Sequence, residues 1–116
     1  LTPRVEIEVV GAQGSILLRA VVDTGFDGEV CLPAYLESVL GLEYGGTYTV
    51  EYADGREELV PVAGGSVRFL GEVLPVDITL TGSEDAMIGT ALLADCTLFI
   101  DFTTGEVRIE KKQASG

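Results

Sequence analysis

Asp23-Thr24-Gly25 sets a carboxylate, a hydroxyl and a glycine in consecutive positions after the apolar run Ala20-Val21-Val22. A strand that ends on an acid and then meets glycine carries the carboxylate into a turn, where the flanking apolar chain can shield it in a groove. A carboxylate so placed can work as a general acid or base. The composition narrows the alternatives. The 116 residues contain no histidine, which excludes Ser-His-Asp and Cys-His catalysis and any His-ligated zinc or iron. Cys31 and Cys96 have no Cys-x-x-Cys spacing and sit among apolar residues, the setting of buried free thiols. The acidic clusters lack calcium-loop spacing, so neither a metal site nor a cofactor is expected. Carboxylates remain as the only abundant catalytic side chains. The plainer reading is an Asx turn at Asp23 in a solvated loop.

With 7 basic and 19 acidic residues the chain carries a formal charge of −12. That charge argues against nucleic acid or an anionic membrane as a partner, since both demand a basic surface. Two such chains repel at neutral pH, and partial protonation in mild acid relieves the repulsion, so self-association is expected to strengthen there. No apolar run reaches membrane-spanning length. Leu1-Thr2-Pro3-Arg4 does not open a signal peptide, because no long apolar stretch follows it. A soluble, cytoplasmic protein is the expectation.

The elements that must position Asp23 read as short strands divided by glycine-containing turns, over a single domain at 1–110 with a flexible tail at 111–116. Val5, Ile7 and Val9 alternate with Glu6 and Glu8, giving a strand over 4–10, and Gly11-Ala12-Gln13-Gly14 turns it into a second strand over 15–22. Val30-Cys31-Leu32 is a short strand, and Pro33 begins a helical turn running to Leu40. Segments 48–52 and 57–62 flank Ala53-Asp54-Gly55-Arg56, an Asp-Gly hairpin signal. Segments 66–70 and 73–80 pair around Gly71-Glu72, with Pro75 marking an edge or a bulge. Thr90 to Asp95 has helical composition, and 98–102 with 106–110 closes the chain as a hairpin.

This order of elements resembles the retropepsin-like aspartic proteases, which include the retroviral proteases. Three blocks carry the resemblance: Ala20-Val21-Val22-Asp23-Thr24-Gly25; the hairpin from Tyr48 to Val62; and Met87-Ile88-Gly89-Thr90-Ala91-Leu92-Leu93, followed by Cys96-Thr97-Leu98-Phe99-Ile100-Asp101. Together they span about residues 5 to 110. Phe26 departs from the small residue usual after Asp-Thr-Gly and looks like a prokaryotic subgroup whose signature reads Asp-Thr-Gly-Phe. The resemblance implies an all-β acid-protease barrel with a flap hairpin and one short helix near the C-terminus.

It also implies a mechanism. Two like carboxylates in contact cannot both ionise and share a proton. One then acts as base on a water that attacks a peptide carbonyl, while the protonated partner polarises that carbonyl. A single Asp-Thr-Gly per chain requires a homodimer, with Asp23 facing Asp23 of a second copy across a two-fold axis, and an extended polypeptide as substrate. By resemblance, Thr24 holds the paired loops together, Gly25 permits the turn, and Ile88 and Gly89 pack in support of the catalytic loop. Asp27 contacts the substrate backbone, and Ala53, Asp54 and Gly55 form the flap that closes over it. Each of these has a plain counterpart: a surface acid at 27, a simple connection at 53–55, a helix-start glycine at 89. Glu29, Glu57 and Glu58 read as solvated charge.

Two other functions fit the same residues. The scaffold could bind or dimerise around an extended peptide without cleaving it, or it could be a structural all-β domain in which Asp-Thr-Gly is incidental.

Overall fold

The computed structural model describes residues 2–51 and 53–112. Tyr52, expected to end a strand, and residues 113–116 of the expected tail lie outside the described residues. Within the described residues, Lys111 ends a strand.

β1 (Arg4–Gly11) buries Ile7 and Val9 and turns Glu6 and Glu8 outward, as its alternation requires. On the outer face Glu8 accepts hydrogen bonds from Arg68 Nε at 2.7 Å and Ser15 Oγ at 3.0 Å. These hold its carboxyl below the ordinary range, with Arg68 the larger influence. β2 (Gly14–Val22) pairs antiparallel with β1 over Gly14 to Val21. β3 (Val30–Pro33) is buried throughout. α1 (Leu36–Leu40) follows, burying Leu36 and Leu40, and Gly41 stops it in the left-handed conformation at φ 68°.

β4 (Glu43–Glu51) and β5 (Glu57–Phe69) form an antiparallel hairpin with a bulge between Tyr44 and Gly46. β5 continues past it to pair with β6 (Glu72–Thr81) and, over three residues, with β1. β7 is only Met87–Ile88. The strand order β1-β2-β7-β3-β6-β5 closes on itself through the β5–β1 pairing, with β4 added outside β5. β8 (Cys96–Asp101) and β9 (Glu106–Lys111) make a separate two-stranded sheet, and from it Leu98, Val107 and Ile109 pack against the barrel core.

Two expectations are corrected. Segments 57–62 and 66–70 are one strand, because Gly64 and Gly65 pass through it without turning. A Cβ on Gly65 would stand 2.9 Å from both Ile78 Cδ1 and Leu42 Cδ2, so glycine serves close packing there. The helix expected at Thr90–Asp95 is a run of turns, and among the described residues the α-helix is α1. The N–H groups of Thr90 and Ala91 are bonded to Phe26 and Gly28, and β8 begins at Cys96, leaving room for one turn closed by Leu93 N–H on the Gly89 carbonyl at 3.3 Å. Pro75 lies in the part of β6 that precedes its pairing with β3 at Ile78, so its missing N–H interrupts no β3 ladder.

Candidate active site

β7 is short, yet it fixes the loop that carries Asp23 from both sides. It pairs parallel with β2 through Val21 and Val22, and antiparallel with β3 through Val30 and Cys31. Both ends of the 23–29 loop are thus tied to the same two residues, and Ile88 between them is fully buried. Asp23 N–H donates to the Ile88 carbonyl at 3.0 Å. Beyond β7 the chain runs inside the loop. Gly89, Thr90 and Ala91 donate their N–H groups to the carbonyls of Glu29, Phe26 and Gly28 at 3.0, 2.9 and 3.1 Å.

The loop itself is a tight turn. Phe26 N–H donates to the Asp23 carbonyl at 3.1 Å, and Gly25 N–H donates to Asp23 Oδ1 at 2.9 Å. Gly25 is not at positive φ. A Cβ there would stand 3.2 Å from Asp23 Oδ1, so glycine leaves room for the carboxylate rather than enabling a left-handed turn. Gly89 has a stronger reason to be glycine: a Cβ would collide with the carbonyl oxygens of Gly28 and Phe26 and with the Phe26 ring.

Asp23 opens into a cleft of about 650 Å³. The loop contributes Gly25, Phe26 and Asp27, and the β4–β5 hairpin contributes Tyr48 to Glu51, Ala53 and Val60. The buried end is made by Cys31, Thr79, Thr81 and Met87. Tyr48 Oη and Thr79 Oγ1, 2.9 Å apart, hydrogen-bond across the cleft and tether the hairpin to the barrel. A second, more open hollow of about 590 Å³ along Gly64 and Gly65 contains none of these groups.

Asp23, Gly25, Asp27 and Ala53 are therefore brought to one cleft. Thr24 is exposed beside it, and Ile88 and Gly89 lie behind the loop. Asp54 and Gly55 stand at the exposed hairpin tip outside the cleft lining. There Asp54 accepts the Arg56 N–H at 3.0 Å and pairs with Arg56 Nε at 3.2 Å, while Gly55 takes φ 86°. Glu29 is not merely solvated charge: its Oε1 accepts Asp77 N–H at 2.9 Å, joining the loop to β6. No local pattern in the sequence announces that bond, since its partners are 48 residues apart. Among the described residues, no group of three His, Cys, Asp or Glu side chains is placed to hold a metal ion.

Two solved structures share this architecture. The chain is similar to the solution structure of simian foamy virus (mac) protease, with TM-score 0.56 and 18% identity, covering 78% of this chain and 91% of that one. It is also similar to EIAV protease complexed with the inhibitor HBY-793, with TM-score 0.60 and 15% identity, covering 82% and 88%. The fold is retropepsin-like. No protein-family model and no curated protein matches the sequence. Within the retropepsin fold, the Asp-Thr-Gly loop and the overhanging hairpin are the parts that this chain assembles around its cleft.

Both cysteines are free thiols. Burial pushes the Cys31 thiol up; a hydrogen bond to Thr81 opposes this, and the nearby Asp23 charge adds to the rise. Burial and then the charge of Asp95 likewise raise the Cys96 thiol. Since thiolate is the reactive form, native Cys31 is expected to resist iodoacetamide at pH 8, with Cys96 alkylated first and Cys31 only on unfolding. Peptide mass spectrometry reads the order, and faster native labelling of Cys31 would contradict it.

Proposed function

We propose that this chain is half of a homodimeric aspartic endopeptidase that hydrolyses extended polypeptides. The observation that carries the reading is the Asp23 carboxylate, held by Gly25 N–H on a clamped turn and opening into a hairpin-covered cleft. The mechanism requires a second carboxylate, and a second copy of the chain supplies it. Asp23 and its symmetry mate share one proton; the ionised member deprotonates a water as it attacks the scissile carbonyl, and the protonated member donates to the carbonyl oxygen. The exposed Thr24 hydroxyl is available to bond across the dimer. Asp27 and Ala53 meet the substrate strand, and the hairpin acts as a flap whose tip is Asp54 and Gly55. The free thiols fit a reducing, cytoplasmic setting. Among the described residues no helix is long and apolar enough to cross a membrane.

A second reading draws on the hairpin tip. An Asp54–Arg56 ion pair there commits polar groups that a closing flap would turn toward its partner, which suits a module that binds an extended peptide without cleaving it.

A crystal structure of the dimer with a peptidic inhibitor tests the assembly. The two Asp23 carboxylates are expected at hydrogen-bonding distance, about 3 Å, and a dimer built on another face would overturn the dyad. The charge of −12 per chain adds a pH dependence. Carboxylates gain protons as pH falls, so repulsion weakens and the dimer fraction rises from pH 7 to pH 5. Sedimentation velocity at low salt should show this, with the difference shrinking in about 0.5 M salt as screening takes over. A dimer fraction that falls toward pH 5 would contradict it.

A further inference from the structure

Phe26 directly follows the Asp23-Thr24-Gly25 turn, and both its backbone and its ring are committed. Its N–H bonds to the Asp23 carbonyl, and its own carbonyl accepts Thr90 N–H. The ring covers two glycines far apart in sequence. Ring atoms Cζ and Cε1 stand 2.5 and 2.7 Å from where a Cβ on Gly28 would be, and Cδ2 stands 2.5 Å from where a Cβ on Gly89 would be. Neither glycine has a positive φ, so backbone conformation does not require them. At position 28 the three atoms nearest to that Cβ all belong to the Phe26 ring, so the ring itself excludes a side chain there. The half-buried Phe26 also lines the cleft beside Asp23.

We propose that Phe26 is a positioning and specificity-determining residue. Wedged onto Gly28 and Gly89, its ring fixes the loop that bears Asp23, and as a wall of the cleft it limits the size of the substrate side chain received beside that loop. One face of the ring lies on two bare backbone segments and another borders the cleft, so the loop and the cleft wall are set by one group. The size limit rests on the peptidase reading; the wedge does not.

Thermal melts and peptide cleavage on the full chain test the two parts separately. Gly28→Ala is expected to lower Tm by about 5 °C or more through overpacking. In a Phe26→Ala background the same change should cost nothing further, because the atoms it strikes are gone; equal losses in both backgrounds overturn the wedge. Phe26→Leu serves as the second background should the alanine variant fail to fold. Against a peptide library read by mass spectrometry, Phe26→Ala should raise relative kcat/KM for bulky side chains at one subsite by about tenfold or more. Phe26→Leu should remain close to the original profile. An unchanged profile in Phe26→Ala overturns the specificity role, since a purely structural residue would alter rate or stability without altering preference. Wild-type protein that cleaves nothing overturns the peptidase reading, and the melting cycle then decides the wedge alone.

Discussion

Asp23→Asn is expected to lower peptide-bond cleavage by about 10²–10⁴-fold, the range associated with losing a positioned acid or base, while fold and dimer persist. The substitution keeps the shape of the side chain and an oxygen that can accept Gly25 N–H, which Asp23 Oδ1 now does at 2.9 Å. Asp23 is only half-buried, so no core contact is lost with its charge. What disappears is the capacity to take and return a proton, at both positions of a dimer at once. A mixing experiment sharpens the result. If two carboxylates from two chains form one site, an equal mixture that exchanges subunits retains roughly a quarter of the activity, the statistical share of wild-type pairs in a two-fold dimer. A site complete within one chain would retain about half. Undiminished cleavage by Asp23→Asn would sink the assignment.

Gly89→Ala is expected to be strongly destabilising. The added Cβ meets the Phe26 carbonyl oxygen and ring at 2.5 Å and also collides with the Gly28 carbonyl oxygen. Those carbonyls are held in place by Thr90 and Ala91 N–H, so relief requires moving backbone on both sides of the contact. Overpacking of this kind costs about 1–3 kcal/mol, which in a domain this size lowers Tm by on the order of 10 °C. Gly82→Ala is the control: nothing lies within 4 Å of its Cβ and its φ is not positive, so the change should stay within about 0.5 kcal/mol. Circular dichroism melts compare the two. A Gly89→Ala melt within about 1 °C of wild type would show that the loop yields where the geometry says it cannot.

The parts of this molecule that were legible in the sequence are those written locally. The alternation of Val5, Ile7 and Val9 marks β1, and Asp54-Gly55 marks the hairpin, whose tip has Gly55 at φ 86°. Asp23-Thr24-Gly25 stands out because its turn is closed within four residues. Misreadings fell where a glycine or a helix former had a distant reason. Gly64-Gly65 falls between the two expected segments, but Leu42 and Ile78, which require Gly65 to be bare, are remote in sequence. Thr90 to Asp95 has the residues of a helix, yet its first N–H groups are drawn to Phe26 and Gly28. In the sequence Phe26 stands out as a departure from one pattern and a match to a subgroup signature; its packing on Gly89 spans 63 positions and becomes visible only when the barrel closes.

β5 leads a double life along its 13 residues. Over Glu57 to Pro61 it has β4 alone for company, whereas from Val62 onward β6 joins and, at Ser66 to Arg68, β1 does too. One continuous strand therefore grades from a lightly held outer end to the seam that shuts the barrel. Evolution can lengthen, shorten or recharge the 53–56 tip at little risk, because the disturbance dies out before it reaches the seam. The part of the molecule that overhangs the cleft can then change in length and charge without disturbing the part that holds Asp23.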